Sequence, residues 1–183
     1  MAEDGEEAQA LRDNMEALQA TVVSTGEELE RLDFLISFMQ TAHADQLAAI
    51  DALIQEASDV REALMQARAL IAEHLQAQAS GVALIQTASG ASLTKKLAGM
   101  TSTYKGYATL ALEFMELASN RDIVSDQGMV AELLAAFDEL INQVNQDMTN
   151  LQKRRGTMVT SFETDMAPVA EGRRKANADH VAA

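Results

Sequence analysis

The chain has 183 residues, 48% of them hydrophobic but only 4% aromatic, with no tryptophan, no cysteine and a single proline. That composition excludes disulfides, thiolate metal sites and a cysteine nucleophile, and it argues against a strand-rich fold, whose turns recruit proline and glycine. A formal charge of −14 opposes nonspecific binding to nucleic acid, which needs Lys and Arg to neutralise phosphates.

The first ten residues are acidic and show neither the basic nor the apolar region of a secretory signal. No apolar run approaches the ~20 residues of a spanning helix. We therefore expect a cytoplasmic protein with no stable membrane span, although an excised domain of a membrane protein would read the same way. From Leu11, alternating steps of four and three give Leu11, Met15, Leu18, Val22, Thr25, Leu29, Leu32, Ile36 and Met39. That is a coiled-coil-like seam, interrupted only by Thr25. Ser24 and Glu27 match a capping box, but the seam runs through them, so they mark a weak point in a continuous helix.

The same step continues through His43, Gln46, Ile50, Leu53, Ala57, Val60, Leu64, Ala67, Ile71 and His74. The polar pair His43 and Gln46 suggests a turn at Thr41–Ala44, with Asp45 capping a second helix. Because neither Gly nor Pro occurs between Glu27 and Ser80, one very long N-terminal helix in a three-helix arrangement is the alternative.

Charge is unevenly spread. Residues 1–79 carry 16 acids and 4 bases, whereas 80–112 carry Lys95, Lys96 and Lys105 and no acid. Ser80-Gly81 and Ser89-Gly90 favour a break. A third seam, Leu93, Leu97, Met100, Tyr104, Tyr107, Ala111 and Phe114, is shifted by one residue from the first. After a turn-forming stretch from Ser119 to Gly128, Ser125 or Asp126 is a natural N-cap. A fourth seam follows: Val130, Leu134, Phe137, Ile141, Val144, Met148, Leu151 and Arg155, continuing to Val169. Arg155 should either extend to solvent or pair with an acid on a neighbouring helix or subunit. From Pro168 the periodicity fades.

The expected fold is all-α: one domain over 1–183, an elongated antiparallel bundle of four long helices with coiled-coil-like packing. The helices fall near 6–40, 45–79, 91–119 and 127–167, and a frayed tail occupies 168–183. His43, His74 and His180 lack the Glu-x-x-His spacing of ferritin-like sites, and no nucleophile elbow, phosphate loop or dinucleotide fingerprint occurs. We expect no enzyme, cofactor or metal.

The leading expectation is protein–protein association or self-association, as an assembly, scaffold or adaptor component. Its candidate seam is Val130, Leu134, Phe137, Ile141, Val144, Met148, Leu151 and Arg155. The first alternative is a sensory or ligand-binding bundle in which Lys95, Lys96, Tyr104, Lys105 and Tyr107 form a partner-docking surface or accept a small anion. The second is a membrane-inserting helical protein of pore-forming type.

Overall fold

A computed structural model of the chain describes residues 3–77, 84–100, 103–120 and 126–182. Four α-helices carry them: α1 (Glu3–Ala77), α2 (Ala88–Ala98), α3 (Lys105–Leu117) and α4 (Gln127–Ala182), with a 3-10 turn at Leu84–Gln86 before α2. No strand occurs among the described residues. Over the described residues the fold is all-α with four helices, as expected, but their lengths differ from the expected set.

The turn at Thr41–Ala44 is not there: α1 runs without interruption for 75 residues. The polar interruption of the seam is absorbed rather than turned. Thr41 donates its hydroxyl to the Ser37 carbonyl at 2.9 Å, a mid-helix bond that satisfies the side chain without breaking the ladder. His43 lays its ring flat on Phe162 of α4, with centroids 4.0 Å apart and 3° between planes. An imidazole presenting its face fills a seam position much as an apolar residue would.

The expected third helix, 91–119, is two helices. Gly99 closes α2, and the Gly99 and Met100 amides donate back to the carbonyls of Lys95 and Leu97 at 3.1 Å each. Glycine is a weak helix former, so α2 stops here, and α3 begins at Lys105. The Ser89-Gly90 pair belongs to α2 rather than to a loop. The Thr87 hydroxyl donates to the Leu84 carbonyl at 2.8 Å and accepts the Gly90 amide at 3.0 Å. Asp126 caps α4 as expected, its Oδ1 accepting the Gly128 and Met129 amides at 2.8 and 3.3 Å. The expected break at Ser80-Gly81 and the Ser125 cap lie outside the described residues.

The expected fraying after Pro168 is also absent, since α4 continues to Ala182 with Pro168 inside it. A helix-interior proline costs about 3 kcal/mol. Beyond it, however, Ala176 is buried, Arg173 pairs with Asp33 and His180 meets Thr25. Those contacts hold the last four turns in helical form.

The helices divide into two compact units. The first joins residues 1–48 to 156–183. In it α1 and α4 run antiparallel: contacts step from Thr25–His180 through Asp33–Arg173 to His43–Phe162. The second, residues 49–155, holds the main core. Ala57, Val60, Leu64, Ala67 and Ile71 of α1 meet Leu93 and Leu97 of α2, Ala108, Ala111 and Met115 of α3, and Phe137 and Val144 of α4. The many alanines let helix axes approach closely. Phe114 packs edge-on against Phe137, with centroids 5.3 Å apart.

Gly90 gives a sharp check on the α2 start. A Cβ there would lie 2.0 Å from the Leu84 carbonyl oxygen, backbone that cannot swing away. In an open helix interior Gly→Ala stabilises by about 1 kcal/mol, and Gly156, with nothing within 4 Å of a Cβ, is such a place. Gly156→Ala should therefore raise the urea midpoint followed by circular dichroism. Gly90→Ala should instead lower stability by about 1–3 kcal/mol through overpacking.

Candidate association surface

The α4 seam singled out in the sequence is spent inside the protein. Phe137 and Val144 are fully buried, and Leu134, Ile141 and Met148 pack against the same core. Val130 and Leu151 are half-buried. Arg155 takes the pairing course, its Nε 2.6 Å from Asp51 on α1. Within the chain this seam packs against the main core.

The lysine and tyrosine surface also changes. Tyr104 is in the core at 4% exposure, with Tyr107 half-buried beside it, ring centroids 5.9 Å apart. Burial first, and then the carboxylates of Asp147 and Glu56, hold the Tyr104 phenol above its ordinary range. Lys95, Lys96 and Lys105 are exposed, but Lys105 stands apart at the start of α3. Lys95 and Lys96 sit in the last turn of α2, where cations favour the helix dipole. They line an open groove of about 730 Å³ whose other wall carries Glu56 and Asp59. A small anion entering it would meet carboxylates as well as ammonium groups. No group of three or more His, Asp or Glu side chains among the described residues is placed to hold a metal ion, and no described helix is long and apolar enough to cross a membrane.

What the sequence did not single out is the far end of the first seam. On α1, Thr25 and Gly26 meet α4 through His180. Every residue from 9 to 24 is exposed. The seam residues there are large apolar side chains left exposed: Leu11 64%, Met15 69%, Leu18 50% and Val22 37%. Isolated exposed leucines are ordinary, but a run at helical spacing on one face marks an interaction surface. Phe34 and Phe38, stacked on each other at 6.5 Å, add a smaller apolar patch on another side of α1. The signal in the sequence was the seam itself.

No family model matches the chain, and comparison with curated proteins and with solved structures finds no match to either.

Electrostatics tune the pairing beneath this surface. The hydrogen bond from Arg173 holds the Asp33 carboxyl below its usual range. The folded chain therefore keeps Asp33 ionised at pH values where the unfolded chain has begun to protonate it. Its stabilising contribution is present above the unfolded value of about 4 and is lost as pH falls through the folded one. The protection of amides 173–182, taken relative to the intrinsic exchange rate at each pH, should fall on acidification through this window. Asp33→Asn should remove that acid-dependent part and leave faster exchange at neutral pH.

Proposed function

We propose that this protein is non-enzymatic and works by protein–protein association, as an assembly, scaffold or adaptor component. The observation that carries the reading is the uncovered α1 seam at Leu11, Met15, Leu18 and Val22, in line with the part of the same seam that α4 covers from Thr25 onward. A helix that presents four large apolar side chains in seam register offers a helical partner a ready-made half of an interface, the helix-in-groove mode of recognition. Full burial of each such side chain supplies about 1.5–3 kcal/mol, so four suffice for a reversible contact.

The surface can be disabled without disturbing the fold, because Met15 and Leu18 are exposed. Met15→Glu with Leu18→Glu should leave thermal unfolding within about 0.5 kcal/mol of the parent chain, as for other exposed positions. The same pair should abolish chemical crosslinking of the chain to protein partners in a lysate of the source cells. Crosslinked species unchanged by the substitutions would remove the seam from the function.

A further inference from the structure

We propose that Met15 is an oxidation site that switches the α1 seam: a hydroperoxide converts its thioether to a sulfoxide, and the apolar surface is lost with it. The switch rests on the association reading above and supplies its regulation, whereas the oxidation site stands without that reading.

The chain holds neither cysteine nor tryptophan, so its thioethers are the groups most open to two-electron oxidants. The fold ranks them. Met115 is fully buried, and Met39, Met100, Met148, Met158 and Met166 are half-buried. Met15 is 69% exposed, ahead of Met65 at 48% and Met129 at 46%, which makes it the most exposed methionine among the described residues. Met39 supplies the contrast within one seam. It shares the heptad face of Met15 but lies between Asp33 and His43, where α1 pairs with α4.

Position gives the oxidation its consequence. Met15 stands between Leu11 and Leu18, whose aliphatic side chains a hydroperoxide leaves unchanged. In the free chain a sulfoxide at this exposed position stays hydrated, so the fold is undisturbed. Against an apolar partner the same group would lose its water without gaining a hydrogen bond, and that costs affinity. Met65 and Met129 belong to the other compact unit and serve as internal controls.

The step balances with the hydroperoxide as the one co-reactant. A sulfur lone pair attacks a peroxide oxygen, the S–O bond forms as the O–O bond breaks, and sulfur gives up two electrons. The departing oxygen takes the proton of the transferred hydroxyl and leaves as water or an alcohol. Two thiols reverse the change through a sulfoxide reductase, forming a disulfide and water.

The purified chain, treated with hydrogen peroxide for increasing times and then freed of it, tests both parts. Peptide mass spectrometry should find oxygen added first at Met15, next at Met65 and Met129, and last at Met115. Circular dichroism should not change while Met15 alone is oxidised, but retention on a hydrophobic-interaction column should fall. Crosslinking to protein partners in a lysate should drop at least about tenfold, as for a polar group buried without a partner. Met15→Gln should lower retention and crosslinking without peroxide. Crosslinking of Met15→Leu, whatever its starting level, should not respond to brief oxidation, whereas that of Met65→Leu with Met129→Leu should respond as the parent does.

Slower oxidation at Met15 than at Met65 and Met129 would overturn the site. Full oxidation of Met15 with retention and crosslinking unchanged would overturn the switch, as would a Met15→Leu chain that still loses its partners on brief oxidation. If Met15→Glu with Leu18→Glu leaves crosslinking unchanged, the association reading fails by itself. The order of oxidation and the column retention then still decide whether Met15 is the site.

Discussion

The structure depends on the antiparallel pairing of α1 with α4 and on what fixes its register. A seam of large apolar residues supplies the attraction, but a repeat of seven is nearly self-similar under a slip of seven. The ion pairs break that degeneracy. In the larger unit Asp51 of α1 meets Arg155 of α4, and seventeen residues on, the polarity reverses, with Arg68 of α1 meeting Asp138 of α4 at 2.6 Å. A heptad slip would move each partner by about 10 Å and leave the reversed pairs facing nothing. In the other unit Asp33–Arg173 does the same work beside the His43–Phe162 stack. Each pair is largely exposed, so water and salt screen its attraction. Their value lies in choosing one register rather than in deepening the well.

Around this pairing α2 and α3 have a defined task. Two helices alone cover only one side of each other, and the stretch of α1 from Ala57 to Ile71 is buried on more than a single seam. Leu93 and Leu97 from α2, with Ala108, Ala111 and Met115 from α3, close the remaining sides. The interruption at Gly99 lets two short helices reach a core that one straight helix with a phase-shifted seam would meet along only one line. The Thr87 cap and the close approach of Gly90 to the Leu84 carbonyl fix where the first of them starts.

Much of the fold was legible because it rests on periodicity and capping. The apolar seams, the Asp126 cap and the pairing of Arg155 with an acid all follow from residue type and spacing. Continuity at 41–46 was misread because a histidine counts as polar in a pattern, yet its ring packs as a flat apolar surface when Phe162 is opposite. The persistence of α4 past Pro168 was illegible for a related reason: the local cost of proline is outweighed by tertiary contacts from residues that lie about 140–155 positions away in sequence. That the α4 seam and Tyr104 pack into the chain's own core was illegible because a sequence shows that a face is apolar without showing what covers it.

The same distinction explains why the N-terminal part of α1 can act as a recognition element. An isolated helix of this size is marginal in water, since nucleation is costly while each further residue adds little. Here the helix is nucleated and held by the packed turns that begin at Thr25, so residues 9–24 extend a structure already formed. A partner that docks on Leu11, Met15, Leu18 and Val22 meets a surface whose backbone is ordered in advance. The ordering entropy that a disordered segment would surrender on binding is thereby reduced. Such preorganisation is what allows four side chains, too few to fold a helix of their own, to form a specific contact.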